Sequence, residues 1–553
     1  MSASADGIKQ PYCPAQRAAR RFEDTPFLIS PDAPLSFNDF AHRAGCFADW
    51  LRRDGIERRD CVALVLPTAS DTLALLTAVW RMGAIAFPLN PDAPAEYTAA
   101  RVRDLGCRMA VLPHAPAAPS ETRHVGLDVL LSALHPRRIT QAHCRHGRLT
   151  PAVAILTSGS GGAPKAAVLS LISMTIAAQR TNKRMELGAG DRYLLNLPLH
   201  HVSGLSVFMR CLEAGAQCIL PGTNERTVDA IVRTRPTHLS LVAAQLRRAL
   251  ELPDALDALR AARCVLMGGG PLPELLLQRA FDAGVPLMNS YGMTETSAMT
   301  CSTRLDADLE ELRSVGRPML QDTVRVNDAG RIEVRGNTRF VGYLHGGVLE
   351  KPGGWFDTGD LGHFDEQGRL HVEGRADRMF IVGGENVQPE TIEAELCHIP
   401  GVTRAVVVPV PDPVLEHIPV AFVEMVTGCL SPPLKRDSGE SASGPPLKGV
   451  VRESEPGDVV LPPPPNGDLG ECTSSPPLKG DLGGCTSSPP LKGDLGGCSL
   501  AASALLAACA ARLPRHAVPR HIFPWPEEIA PGIKPRPAEM QRRAEEMVRV
   551  RGV

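Results

Sequence analysis

Over the first 428 residues, short apolar runs alternate with amphipathic stretches, and that alternation restricts the fold more than any other feature of the chain. The runs include CVALVL at 61–66, AVAILTS at 152–158 and ARCVLMGGG at 262–270. Between them lie stretches such as Thr72 to Met82, where Leu75, Leu76, Val79 and Trp80 recur at helical spacing. A buried strand followed by a helix that returns the chain to the same sheet gives parallel strands, so the pattern predicts α/β architecture. The length of 553 residues corresponds to roughly three or four units of core. Hydrophobic residues make up 43% of the chain, enough to fill such a core.

Residues 430–499 break the pattern. These 70 positions hold 13 Pro and 12 Gly and no Phe, Tyr or Trp. PPLK recurs at 432, 445, 476 and 489, and Cys472, Cys485 and Cys498 stand 13 residues apart. A repeat with so few large apolar groups cannot offset its own chain entropy, so a disordered low-complexity insertion is expected. Helix-like patterning resumes at Leu500 with ALLAACAARL. The insertion therefore splits one small C-terminal domain, 375–429 plus 500–545.

Several function classes are disfavoured at once. Fifty-nine Lys and Arg against 61 Asp and Glu leave a net charge of −2, without the basic excess of a nucleic-acid binder. No apolar run approaches the ~18 residues of a membrane span; Asp71 and Arg81 interrupt the best candidate, Val62 to Leu89. The N-terminus MSASADGIKQPYC lacks a charged-then-apolar leader. Fifteen Cys without CxxC pairs suit reduced thiols better than a disulfide frame or zinc site, and a cytoplasmic location is expected.

The most informative stretch is Thr157-Ser158-Gly159-Ser160-Gly161-Gly162-Ala163-Pro164-Lys165, between an apolar strand and a probable helix. Its glycines let backbone N–H groups approach an anion, and its hydroxyls and lysine add donors and charge. It does not fit the Walker pattern. Taken alone, a flexible polar turn explains it equally well.

The loop resembles the TSGTTGxPK signature of the adenylate-forming superfamily, which includes acyl-CoA synthetases, luciferases and peptide-synthetase adenylation domains. The other motifs of that superfamily follow in order: LPLHHVSG at 197–204, GGGPLP at 268–273, YGMTE at 291–295, WFDTGD at 355–360, GRAD at 374–377, GGENVQPE at 383–390 and GIK at 532–534. The likeness spans the whole chain except 430–499. Gly161 departs from it, standing where Thr or Ser is usual. Within the superfamily, LTSGSGGAPKAAV, LPLHHVSG, GGENVQPE with the helix after it, THLSLVAAQLRR at 237–248 and GIK look most like the o-succinylbenzoate–CoA ligases of menaquinone synthesis.

This resemblance implies a large N-terminal domain, residues 1–374, with two α/β subdomains and a small β-barrel-like subdomain. A small mobile α+β C-terminal domain, 375–553, follows, interrupted by the insertion. It implies an acid–CoA ligase that forms an acyl-adenylate from ATP and then a thioester, with ATP, Mg²⁺ and coenzyme A as cofactors and co-substrates and a small carboxylic acid as substrate. The nucleotide would lie against residues 157–162 and Lys165, Gly268, Gly269, Gly270, Tyr291, Gly292, Thr294, Asp360 and Arg375. Lys534 would supply charge to the adenylation step, Glu295 would contact Mg²⁺, and His201 would gate the acyl pocket. Arg210 and Ser240 would hold the acid, Asp377 would be the hinge, and Gly383 and Gly384 would line the thiol tunnel. The chemistry is consistent: a carboxylate approaching an α-phosphate needs gathered positive charge, and an acceptor-only carboxylate suits ribose hydroxyls.

Plainer alternatives stay open residue by residue. Glu295 could cap a helix, Asp360 could serve a turn, Arg210 and Lys534 could be solvated, and His201 could be a packed core histidine. Other readings of the whole chain are another aryl- or medium-chain acyl-CoA ligase, a carrier-loading adenylation domain, or a non-catalytic homologue. Self-association is not decided by the sequence.

Overall fold

The computed structural model describes residues 13–31, 33–114, 122–133, 149–157, 165–345, 348–350, 353–399, 401–425, 498–526, 529 and 537–550. Residues 430–497 of the 430–499 insertion, residues 158–164 of the Gly/Ser loop and Lys534 lie outside them, while Cys498 and Ser499 open the helix Cys498–Ala510 and are not part of an unstructured repeat. Two compact units divide the chain, residues 1–378 and 379–553.

The first unit contains two large sheets. In one, strands Pro151–Thr157, Ile85–Pro88, Cys61–Leu64, Met109–Leu112 and Arg123–Gly126 lie side by side and parallel. Lys165–Ser170 and Gly342–His345 extend it antiparallel. In the other, Leu287–Met293, Cys264–Met267, His238–Leu241, Arg192–Leu194, Gln217–Ile219 and Pro26–Ile29 run parallel, with antiparallel strands at both edges. Cys61–Leu64 and Cys264–Met267 are buried along their whole length, as expected of uninterrupted apolar runs in a parallel sheet.

The helix Ser70–Met82 differs from its amphipathic reading. Every residue from Thr72 to Arg81 is buried. Its core cluster includes residues of both sheets, Val62 and Ala86 of one and Tyr193, Cys218 and Met288 of the other, so it has no solvent face to keep polar. Trp80 packs there against Phe208, with ring centroids 6.2 Å apart, and Phe208 continues to Phe40 and Phe27.

The third layer of this unit is an open antiparallel sheet of four strands, Val324–Val326, Arg331–Val334, Phe356–Phe364 and Leu370–Arg375. The β-barrel-like expectation is corrected here. No closed barrel is found among the described residues, because the first and last strands of this sheet do not pair.

In the second unit, Val402–Asp412 and Glu416–Met425 form a long hairpin, and His521–Pro524 adds in parallel to Glu416–Met425. Helices Pro389–Cys397 and Cys498–Ala510 cover one apolar cluster, and Pro537–Val550 contributes Met540, Ala544 and Val548 to another. Elements on both sides of the insertion thus share one sheet and its cores. No helix among the described residues is long and apolar enough to cross a membrane.

Candidate active site

The Gly/Ser loop joins two antiparallel strands whose last described pair is Thr157 opposite Lys165. Thr157 Oγ1 donates to the Lys165 carbonyl at 3.3 Å. Lys165 is exposed, with Nζ 5.3 Å from the centre of the Tyr343 ring. Ser158, Gly159, Ser160, Gly161 and Gly162 lie outside the described residues.

Glu295 sits in the tight turn Thr294–Thr296, which ends in Ser297 and Ala298, both at positive φ. The turn folds back so closely that a Cβ on Gly292 would collide with the Ala298 carbonyl, so only glycine fits there. Glu295 is buried. Its Oε1 accepts from the Tyr343 hydroxyl at 2.7 Å, and its backbone carbonyl accepts from Phe340 N at 2.8 Å. Burial, followed by the neighbouring Glu295 charge, raises the Tyr343 pKa. No cluster of three or more His, Cys, Asp or Glu suited to a metal occurs among the described residues. A hard, buried, anchored carboxylate still fits Mg²⁺, which takes one or two protein carboxylates and fills its shell with phosphate oxygens and water. Thr294, beside Glu295, is half-buried.

A second constellation joins the strand Leu287–Met293, in the second of the two large sheets, to the four-stranded sheet. The Tyr291 hydroxyl donates to Asp360 Oδ2 at 2.5 Å. Asp360 and Arg375 are register partners, and Arg375 Nη1 reaches Asp360 Oδ1 at 3.3 Å and the Thr358 carbonyl at 2.9 Å. The same guanidinium holds Asp377 through two bonds, of 3.0 and 2.9 Å. Burial lifts the Asp360 carboxyl above its usual range, against the opposing pull of Tyr291 and Arg375. Arg375 instead draws Asp377 below it. Both Asp360 oxygens have protein partners, yet an ionised carboxylate has about four acceptor sites, so room for hydroxyl donors remains. Gly268, Gly269 and Gly270 follow the strand Cys264–Met267, where ligands of open α/β sheets bind. Ser290 Oγ ties this turn to the neighbouring strand by donating to the Met267 carbonyl at 2.7 Å.

The helix Val202–Ala214 carries the acid-side candidates. His201 precedes its first turn. At Gly204 a Cβ would collide with the Leu197 and Pro198 carbonyls, so glycine lets the helix start against the loop that precedes it. Two turns on, Arg210 is 3% exposed. It lines a narrow cavity of about 10 Å³ together with Met174, Val202, Leu205, Met209 and Ser297, the last being two residues from Glu295. Arg210 Nη1 donates to Tyr193 Oη at 3.0 Å, and Tyr193 Oη lies 2.8 Å from Ser240 Oγ. Nε of Arg210 has no partner among the described residues. The surface-arginine alternative is thereby excluded. His201 is exposed at its edge and packs beside His200, centroids 4.5 Å apart. Loss of water lowers both pKa values, that of His200 to about 4, where the charge of His201 adds to the effect.

The structure thus brings Arg210 and Ser240 together through Tyr193, and Tyr291, Asp360, Arg375 and Asp377 into one chain of contacts. In the second unit, Gly383 and Gly384 form the exposed turn between Phe380–Val382 and Glu385–Val387. Two residues were missed in the sequence, Tyr343 and Tyr193. The chain has only five Tyr, and a tyrosine inside an apolar run, as in RYLL at 192–195, signals a buried hydroxyl that needs a partner.

An AMP-binding enzyme family pattern matches residues 15–344. A 2-succinylbenzoate–CoA ligase of Salmonella typhimurium is 33% identical over 72% of this chain and 84% of its own length. One of Bacillus licheniformis is 29% identical over 72% and 86%. Among solved structures, o-succinylbenzoate CoA synthetase from Bacillus subtilis with the acyl-adenylate OSB-AMP superposes with TM-score 0.72 at 20% identity, covering 97% of this chain and 99% of that one. The same enzyme with ATP and magnesium gives 0.70 at 21% identity, covering 93% and 95%. At these identities the superpositions establish the fold. The family pattern extends over more than half the sequence and one relative is a third identical along most of its length, and on those grounds the chain belongs to the AMP-binding enzyme family.

Proposed function

We propose that this chain is an AMP-forming acid–CoA ligase that converts 2-succinylbenzoate to its CoA thioester in menaquinone biosynthesis. The observation that carries the choice of acid is Arg210, a buried cation with no carboxylate partner among the described residues, lining a small, mostly apolar cavity beside the Glu295 turn. Leaving a buried charge unpaired is costly. A substrate with two carboxylates, one to be activated and one to be held, supplies the missing partner, and a fatty acid does not.

In the first half-reaction a carboxylate oxygen of the succinyl arm attacks the α-phosphorus of ATP. The bond from that phosphorus to pyrophosphate breaks, and an acyl-adenylate remains. Lys534 lowers the repulsion between the two anions, Asp360 and Arg375 hold the ribose, and Lys165 with the 157–162 loop takes the outer phosphates. Glu295 holds Mg²⁺, which when bound supplies positive charge against the phosphates. Arg210 receives the aryl carboxylate, and Ser240 offers a hydroxyl nearby.

In the second half-reaction the CoA thiolate attacks the acyl carbon and AMP departs. The C-terminal domain turns about Asp377 between the two steps, Gly383 and Gly384 then line the thiol path, and His201 gates the pocket. Hinges of one or a few residues absorb such rotations elsewhere. The cytoplasm, where ATP, CoA and reduced thiols meet, suits this chemistry.

Mass spectrometry of a reaction with ATP, Mg²⁺, CoA and 2-succinylbenzoate tests the reading. AMP and the acyl-CoA should form in equal amounts. Turnover of another aryl or medium-chain acid, with none of 2-succinylbenzoate, would replace it.

A further inference from the structure

The Arg210 guanidinium has one hydrogen-bond partner among the described residues, the phenolic oxygen of Tyr193. Tyr193 is fully buried, in the strand Arg192–Leu194, and Ser240 lies on the adjoining strand His238–Leu241 and is 7% exposed. The direction of each bond in this chain follows from donor and acceptor capacity. A guanidinium only donates, so Tyr193 Oη accepts from Nη1. The buried Tyr193 hydrogen then needs an acceptor of its own, and Ser240 Oγ at 2.8 Å is the one described. If Ser240 donated instead, the phenolic hydrogen would be left buried and unpaired, which costs more than the bond returns. The order is therefore Arg210 to Tyr193 to Ser240.

That order has two consequences. The Ser240 hydroxyl hydrogen is not used by any described protein group, and Arg210 keeps unspent donors, Nε among them. Both ends of the chain are thus donors in want of an acceptor. Burial also raises the Tyr193 pKa, so the phenol stays neutral and keeps the hydrogen that fixes this polarity.

We propose that Tyr193 is a positioning residue that sets acid specificity, pinning Arg210 and turning Ser240 into a donor so that both address the carboxylate on the substrate's aryl ring. This rests on the 2-succinylbenzoate reading above. Tyr193 does not touch the reacting atoms; it fixes the geometry of the residues that hold the non-reacting end. Without its hydroxyl, Arg210 regains rotamer freedom and Ser240 can turn its hydrogen elsewhere.

The test compares two acids on wild type, Tyr193→Phe and Ser240→Ala. One is 2-succinylbenzoate. The other is 3-benzoylpropionate, the same molecule without the aryl carboxylate. Tyr193→Phe keeps the ring and its packing, and a melting curve checks that the fold is retained. With 2-succinylbenzoate, Tyr193→Phe should raise the acid KM about tenfold, the loss expected when a hydrogen bond to a charged group is removed. The KM for ATP should stay unchanged, and 3-benzoylpropionate kinetics should move less than about twofold, because the interaction lost serves only the second carboxylate. Ser240→Ala should shift the same ratio in the same direction. Equal losses with both acids, or none with either, would overturn the role of Tyr193 while leaving the ligase reading intact. A wild-type enzyme that does not prefer 2-succinylbenzoate over 3-benzoylpropionate would overturn both.

Discussion

Tyr343 donates a 2.7 Å hydrogen bond to Glu295 Oε1 while its ring lies 5.3 Å from Lys165 Nζ, so a single side chain ties the candidate metal carboxylate to the lysine at the foot of the Gly/Ser loop. The strand Gly342–His345 pairs with Lys165–Ser170, with Tyr343 opposite Ala167, and this register sets the reach. Tyr343→Phe removes the bond and keeps the ring. Adenylation should slow about tenfold, the scale of a lost hydrogen bond to a charged group. The Mg²⁺ concentration for half-maximal activity should rise, because the carboxylate is no longer held in one orientation. A magnesium titration of the variant checks both.

Arg210 should trade stability for function. Its charge is buried and has no carboxylate partner among the described residues, and such groups are tolerated where a ligand needs them. Arg210→Met is expected to leave the melting temperature unchanged or higher. It should lower kcat/KM for 2-succinylbenzoate by about 100-fold or more, the cost of truncating one side of a buried charge pair. Thermal melts and steady-state kinetics on one preparation read both effects.

His200 should contribute to acid sensitivity. Burial, then the charge of His201, lowers its pKa from 6.5 to about 4, against the opposing pull of Asp92. Between those values the unfolded chain binds a proton that the native chain refuses. The stability it contributes is therefore complete above pH 6.5 and is lost as pH falls towards 4, on the order of 2 kcal/mol after allowance for its partial exposure. Urea midpoints measured from pH 7 to 4 should fall more steeply for wild type than for His200→Gln.

Asp377 is held by two bonds to Arg375, which also contacts Asp360. Proline at 377 would fix φ and restrict the residue before it. Asp377→Pro should leave pyrophosphate exchange within about threefold and cut thioester formation by more than about 100-fold, as expected when a conformational step and not chemistry is blocked. Asp377→Ala removes the same ion pair without fixing φ and should spare both half-reactions. Equal losses in the two half-reactions for Asp377→Pro would remove the hinge role.

The parallel sheets were legible because their strands are uninterrupted apolar runs, such as CVALVL and ARCVLMGGG, and the site motifs were legible because each is contiguous. Less visible was the setting of the helix Ser70–Met82. Its apolar spacing is that of a one-faced helix, and its burial on every side comes from the second sheet, which is remote in sequence. The open four-stranded sheet was hidden for a similar reason, since closure depends on whether its first and last strands meet. Tyr193 and Tyr343 escaped because their importance lies in partners 17 and 48 positions away, Arg210 and Glu295. No local pattern encodes such pairs. Arg210 was legible as a candidate because VFMRCL offers a charge among apolar neighbours, though its cost becomes plain only once its burial is known.

The most direct measurement is acid-dependent exchange of labelled pyrophosphate into ATP, with Mg²⁺ and no CoA, across a panel of carboxylic acids. Rapid exchange with 2-succinylbenzoate, abolished by omitting the acid and lost in Lys534→Ala, is the predicted result. Exchange with none of the acids, or undiminished exchange in Lys534→Ala, would contradict the account.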